Sequence, residues 1–281
     1  MTETHSALLP RGVIAVGGAD RHKFLQGMVS NDIAGAASNR AVYGAMLNPQ
    51  GKFLHDLFII DIGGALWLDC ATSGITSLIR HLNHYKLRSA VTITDLSESQ
   101  GVAVTFFGQQ GATTSYPETN GGFVFPDPRL PALGQRRIAP RALLPTEDVA
   151  AVCAYHRLRL SLGVPDGALD MIPSESILLE YSLEKLNGIS FEKGCYIGQE
   201  LTARTFYRAL IKKRAYPVHI NGSCPAPGTA VTLENEAVGT MRSSQDDVGL
   251  AVLKIAAVES TKEFQCDTAR LRVEIPDWMH K

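Results

Sequence analysis

The sequence predicts an α+β protein that ends in a small all-β unit. Two observations point there. Over the first two hundred or so residues, period-2 apolar runs alternate with segments of helical spacing. After Arg214 the chain changes to short β-rich runs separated by turn residues. The length of 281 residues and a hydrophobic content of 45% are enough for about two domains with a good-sized core.

Taken in order, Gly12 to Val16 reads as a strand, and Gly17-Gly18 turns it into a helix with Asp20 as N-cap and Phe24, Leu25 and Met28 on its apolar face. Tyr43 to Leu47 and Phe53 to Asp61 read as strands around the turn Asn48-Pro49-Gln50-Gly51. Gly63-Gly64 makes a hairpin into Ala65 to Cys70. Ser73 to Arg88 is a helix by the spacing of Ile75, Leu78, Ile79 and Leu82, and Val91 to Asp95 and Gly101 to Gly108 are strands. Gly111 to Arg141 is rich in Gly, Pro, Ser and Thr, and reads as a weakly packed excursion around one strand, Phe123 to Phe125. Glu147 to Leu162 is a helix stopped by Gly163 and Pro165. Leu178 to Leu186 reads as another, with Leu179, Leu183 and Leu186 on one stripe and Glu180 and Glu184 at i, i+4. Tyr216–Ile220, Ala230–Leu233, Val238–Ser243, Val248–Leu253 and Leu271–Ile275 are short strands, suiting a small barrel or sandwich. The expected division is 1–207 and 208–281.

Composition narrows the function classes. Lys plus Arg is 27 against Asp plus Glu at 28, a formal net charge of −1, which gives no support to a general nucleic-acid or membrane-surface binder. The 5 cysteines are scattered without a C-x-x-C pair, so neither a disulfide framework nor a sequence-local zinc or iron–sulfur site is expected. Free thiols, no secretory or transit pattern and no apolar run of ~20 residues make the cytoplasm the expected compartment. No dinucleotide fingerprint, P-loop or H-E-x-x-H is present.

The segment richest in chemistry is Lys193-Gly194-Cys195-Tyr196-Ile197-Gly198-Gln199-Glu200. It sets a thiol near a cation and between glycines, which permit close approach or positive φ. A lone cysteine is usually an inert small hydrophobe. A neighbouring Lys193 offers a route to a more acidic, reactive thiol. Five basic residues (Arg204, Arg208, Lys212, Lys213 and Arg214) follow without an acidic one. They suit either a solvated edge or the countercharges of an anionic small molecule. Upstream, His55 and Asp56 face opposite sides of a strand, which rules against a dyad, and Asp56 among Leu54, Leu57 and Phe58 needs a partner. Tyr155 is either core or a stacking surface for a planar heterocycle, and Glu180 among apolar neighbours is the better candidate for a ligand-facing carboxylate.

The run from Gly188-Ile189-Ser190-Phe191 through the octapeptide to Leu201-Thr202-Ala203-Arg204-Thr205 resembles the signature of the YgfZ-type folate-binding family, kin to the glycine-cleavage T-protein, an aminomethyltransferase. It looks most like the branch containing the mitochondrial iron–sulfur assembly factor. Phe24-Leu25-Gln26-Gly27, Asn31-Asp32 and Asn48-Pro49-Gln50-Gly51-Lys52 are similar to family segments too. The resemblance implies a ring of α+β modules with a C-terminal β-barrel, a central hole for tetrahydrofolate, and a role in assembling or repairing [4Fe–4S] proteins beside assembly partners and client enzymes. It implies Cys195 as the functional thiol, with Lys193, Tyr196, Gln199 and Glu200 around it, and Tyr155 near the folate. Asp56, Glu180, Arg204 and Arg208 complete the expected site, with no metal ligands. Two departures from the T-protein pattern stand out. His55-Asp56 replaces its acidic pair, which puts aminomethyl transfer, the alternative activity, in doubt. Ser161 stands where its pterin-gripping Glu is expected, and cannot make the same charge-assisted contact.

Overall fold

The computed structural model describes residues 4–107 and 121–280. The chain opens with β1 (Thr4–Leu8), β2 (Arg11–Gly17) and α1 (Arg21–Gln26). Strands β3 (Val42–Leu47), β4 (Phe53–Asp61) and β5 (Ala65–Ala71) follow, then α2 (Ile75–Lys86), β6 (Thr92–Asp95) and β7 (Gln100–Phe107). Next come β8 (Phe123–Pro126), β9 (Gln135–Pro140), α3 (Val149–Ser161), the short α4 (Gly167–Asp170) and α5 (Gln199–Tyr207). The last part is β10 (Lys213–Asn221), β11 (Ala230–Leu233), β12 (Glu236–Gln245), β13 (Val248–Lys254), α6 (Ile255–Ser260), β14 (Glu263–Cys266) and β15 (Ala269–Val273).

These elements form three sheets: a five-stranded one in the order β3-β4-β5-β2-β6, a four-stranded one in the order β1-β7-β9-β8, and a closed barrel β10-β13-β12-β11-β14-β15. The α+β class is as expected, and the C-terminal unit is a barrel rather than a sandwich. Alternation along β4 divides two cores. Leu57 and Ile59 face α1 and α2, with Leu25, Leu78 and Leu82, while Phe58 and Ile60 face the other way, with Val102, Phe125 and Ile138 of the four-stranded sheet. Tyr155 and Leu158 of α3, with Leu162 at its C-terminal end, pack on the outer face of that second sheet, against Val104 and Phe106. Asp148 caps α3 by accepting from the amides of Ala150 and Ala151 at 2.9 and 3.2 Å, and Gly163 at φ +71° ends it.

Two expectations need correction. The stretch 111–141 is not loosely packed where it is described: β8 and β9 lie in the sheet, with Phe125, Arg136 and Ile138 buried and Asp127 and Arg129 buried in the loop between. Its residues 111–120, and Gly108 of the preceding strand, lie outside the described residues. The helix expected over 178–186 is only a single 3₁₀ turn, Leu178–Tyr181. Ser182 takes a left-handed φ of +57°, and Leu178, Leu179, Tyr181, Leu183 and Leu186 are all buried by folding the chain round on itself. Apolar residues on every side do not make the single stripe of a surface helix. Glu180 and Glu184 therefore do not share a helix face.

The turn between β3 and β4 is the expected one. Asn48 Oδ1 accepts from the Lys52 amide at 2.9 Å, and Gly51 has φ +74°. This turn packs against Gly198, whose φ is +80° and where a Cβ would stand 2.6 Å from the Asn48 carbonyl oxygen and 3.0 Å from Gly51 Cα. Gly198→Ala must strain the backbone and push on a neighbouring main chain. It is expected to cost about 3 kcal/mol in urea unfolding.

Candidate functional site

The sheet-to-sheet face carries an unusual load of charge. Asp69 of β5, fully buried, accepts from Arg11 Nε of β2 and, at 3.0 and 2.6 Å, from Nε and Nη2 of Arg136 of β9. Asp127 accepts two bonds from Arg129, Nε to Oδ1 at 3.0 Å and Nη2 to Oδ2 at 2.8 Å, and Arg136 Nη1 lies 3.6 Å from Asp127 Oδ2. Three guanidiniums surround the ring of Phe58: Arg136 at 3.8 Å, Arg129 at 4.9 Å and Arg11 at 5.2 Å from its centroid. Arg159 of α3 donates to Asp170 Oδ2 and to Ser243 Oγ of β12, both at 2.7 Å.

Around this network lies a cavity of about 490 Å³, lined mainly by apolar groups together with Arg11, Arg129, Arg136, Tyr155, Arg159 and Asp166. A smaller cavity of about 250 Å³ adjoins it, sharing Ala71, Ser73 and Ala168 and reaching Asp56 and His55. Asp56 Oδ1 lies 3.4 Å from Arg11 Nη1, and Oδ2 is buried with no partner. Burial raises the Asp56 carboxyl above the usual aspartate range despite Arg11. At Asp166 burial acts the same way, but Arg159, Arg11 and Arg129 outweigh it and hold the carboxyl low. Arg11, Arg129, Arg136 and Arg159 thus meet five carboxyls: Asp56, Asp69, Asp127, Asp166 and Asp170.

The expected site residues divide between this cavity and a second place. Tyr155 is buried against Phe106, its hydroxyl accepts from Arg129 Nη2 at 3.2 Å, and it lines the cavity. Glu180 does not line it; burial raises this carboxyl, and Lys213, Lys52 and Arg242 oppose that. Ser161 turns its hydroxyl back onto the Leu158 carbonyl at 2.8 Å and lies outside the cavity lining as well. Tyr196, Gln199, Glu200, Arg204 and Arg208 belong to the octapeptide and α5, and none of them lines the cavity.

The octapeptide is a loop with a firm base and a free tip. Lys193 is buried, and its ammonium donates to the carbonyls of Gln26, Val29 and Asn31 at 2.7, 2.7 and 2.8 Å while lying 5.2 Å from the Tyr196 ring centroid. The amides of Ser190 and Ile197 bond to the carbonyls of Ser30 and Gly27, tying both ends of the loop to the same N-terminal segment. Gly194 and Cys195 stand exposed between the buried Lys193 and Tyr196. The Lys193 cation, read in sequence as a partner for the thiol, is instead spent on anchoring the loop.

Sequence reasoning missed Arg11, Asp69, Asp127, Arg129 and Arg136. Asp69 is the legible one: it takes an inward position within the apolar run Ala65-Leu-Trp-Leu-Asp-Cys-Ala. Arg129 and Arg136 lie in the stretch read as a weakly packed excursion around one strand.

Two changes test the geometry. Lys193→Met strands three carbonyls and is expected to lower stability by about 3 kcal/mol, read as a drop in Tm with faster proteolysis of 190–198. For Asp56 the folded state holds its proton more tightly than the unfolded chain. Its contribution is therefore present at low pH and lost as pH rises through the raised folded-state value. Asp56→Asn, neutral at every pH, is expected to flatten the fall of Tm between mildly acidic and neutral pH.

Residues 10–108 match the family model for the GCVT N-terminal domain, and residues 212–281 match the CAF17 C-terminal beta-barrel domain. The chain is similar to the iron–sulfur cluster assembly factor IBA57, mitochondrial, of Mus musculus, with 33% identity over 95% of this chain and 83% of that protein. The Homo sapiens protein of the same name is also 33% identical, with the same shares covered. Among solved structures, the glycine cleavage system aminomethyltransferase T from Bartonella henselae superposes with a TM-score of 0.75 over 99% of this chain and 87% of that one, at 14% identity, a likeness of fold. The expectation of a cytoplasmic protein is overturned here, since these relatives are mitochondrial proteins. The chain belongs to the family of the iron–sulfur cluster assembly factor IBA57.

Proposed function

We propose that this chain is an assembly factor for [4Fe–4S] proteins that acts through the Cys195 thiol and binds tetrahydrofolate in the 490 Å³ cavity. The observation that carries the reading is the presentation of Cys195: an exposed thiol on a loop whose two flanking side chains are buried. Relatives named as iron–sulfur cluster assembly factors support it. Among the described residues no three His, Cys, Asp or Glu side chains stand together as a metal site. Cys195 would thus supply one ligand to a cluster whose other ligands come from a partner protein. Its thiolate takes the place of an outgoing ligand, and its proton leaves to solvent.

The cavity fits a pteridine in chemistry as well as size. Its volume lies within the range of small-molecule sites, and its walls combine apolar surface with the buried, paired side chains described above. Asp56, which lines the adjoining 250 Å³ cavity rather than this one, holds a buried oxygen with no protein partner, the group a ring N–H reaching into that smaller cavity would meet. The guanidiniums are already paired with carboxylates, so they shape the wall rather than seek an anion. Folate, when bound, supplies a one-carbon carrier. This chain's residues bind and orient it, with Tyr155 of this cavity and Asp56 of the adjoining one as the expected contacts.

Cys195→Ala in a deletion strain is expected to leave [4Fe–4S] enzyme activity at the level of the deletion, while Cys224→Ala, which removes another exposed thiol, restores it. Normal activity with Cys195→Ala removes the thiol role. In a tetrahydrofolate titration, Cys195→Ala is expected to bind as the parent does and Asp56→Ala about tenfold more weakly. A second reading, folate-dependent aminomethyl transfer, draws on the free oxygen of Asp56 as an acid or base. Absence of tetrahydrofolate-dependent turnover of an aminomethyl donor removes it.

A further inference from the structure

The surface at the end of α5 and just beyond it is out of keeping with a merely solvated edge. Phe206 is 40% exposed, Tyr207 71% and Leu210 51%. Phe206 stacks on Phe191 with centroids 4.0 Å apart, and Tyr207 meets both rings edge-on, at 5.4 and 5.9 Å. The aromatic patch is thus held in one arrangement without being covered. Immediately beyond Leu210 lies a concave pocket of about 480 Å³, with a floor of Ile211, Ile255 and Ala256. Lys212, Lys213 and Lys254 line it, opposed by a single acid, Glu259. The Ile255 amide bonds to the Lys212 carbonyl at 2.9 Å, which fixes the two walls against each other. Lys213 faces Glu180, but Arg204, Arg208, Lys212 and Lys254 form no ion pair among the described residues.

Unpaired cations around an apolar hollow specify a complement. It needs carboxylates to answer the lysines and one apolar side chain to fill the pocket, with a neighbour to lie on the aromatic rings. A bilayer surface is flat and leaves a hollow empty. A peptide segment can insert a side chain into it. A second copy of this chain, at net charge −1, brings no general excess of acid to meet the cations.

We propose that Tyr207, Leu210 and the pocket over Ile211, Ile255 and Ala256 dock an acidic segment of a protein partner, which sets one apolar side chain into the pocket. This goes beyond the thiol and folate readings and does not depend on either.

The test uses the full chain and three labelled peptides in fluorescence anisotropy: leucines between glutamates, alanines between glutamates, and leucines between lysines. The first is expected to bind at least about tenfold more tightly than the other two, and to weaken steeply with salt. The double variant Lys212→Glu/Lys254→Glu is expected to lose that preference, and Tyr207→Ser to weaken it, while circular dichroism stays unchanged. Cys195→Ala is expected to bind as the parent does, so the docking surface can fail without the thiol reading, and the reverse. Equal binding of the peptides, or a preference that survives the charge reversal, overturns the proposal. So does Tyr207-dependent binding to phosphatidylglycerol vesicles without a peptide preference, which makes the patch a membrane contact. A concentration-dependent dimer abolished by Tyr207→Ser assigns it to a second copy and overturns the proposal too.

Discussion

The carboxylate of Asp69, clamped between Arg11 and Arg136 above the Phe58 ring, is the contact on which the two N-terminal sheets depend. Asp69 and Arg11 come from the five-stranded sheet and Arg136 from the four-stranded one. An ordinary sheet pair would interdigitate aliphatic side chains there. Charges in their place carry a desolvation cost, which the pairing offsets only when every lone pair is met. Here Asp69 accepts from both guanidiniums, and Asp127 and Asp170 do the same work for Arg129 and Arg159. The arrangement leaves a cavity beside the ion pairs, lined by apolar groups together with the paired guanidiniums. A hydrocarbon interface would close on itself.

Cavity and loop are mechanically connected although they share no expected site residue. Tyr43 of β3 packs on Phe58 with ring centroids 4.9 Å apart. The edge of its ring also lies against Gly188, at 3.1 Å from where a Cβ would stand. Gly188 begins the segment that leads to Cys195, and its carbonyl accepts from Ser30 Oγ at 2.6 Å. Ser30 belongs to the stretch that cradles Lys193. A change at the floor of the cavity thus reaches the base of the thiol loop through one tyrosine and one serine.

Sequence patterning showed the hairpins, the capped helix α3, the barrel strands from β10 to β13, and the octapeptide, because each is a local matter of periodicity or turn chemistry. Asp56 was legible for a related reason: a carboxyl at an inward strand position is conspicuous. Arg129 and Arg136 were not, since their burial depends on Asp127 and Asp69, and Asp69 is more than sixty residues away along the chain from Arg136. The strands β1 and β14 are short, and β9 carries two arginines in succession, which hid its alternation. At 178–186 the helical spacing of leucines was real, but the buried chain reversed at Ser182 and used the same leucines on several sides. Lys193 illustrates the opposite limit. Its proximity to Cys195 in sequence suggested an electrostatic partner, and only three-dimensional placement shows its donors committed to Gln26, Val29 and Asn31.

The barrel is more than an appendage to this arrangement. Ser243 of β12 accepts from Arg159 and donates to Asp170 at 2.5 Å, so a barrel residue completes the buried network. At the far end of α3, Trp278 donates its indole N–H to the Leu162 carbonyl at 2.8 Å, and Lys185 Nζ bonds to the Met279 carbonyl. Helix α3 is therefore a beam gripped at one end by the C-terminal tail and along its side by the barrel wall. It carries Tyr155, His156 and Arg159 into the cavity. Ser243 and Arg159 thus form a direct polar link between the barrel wall and the cavity. The Arg159–Asp170 pair at the cavity wall is in this way the contact through which the C-terminal domain meets the cavity.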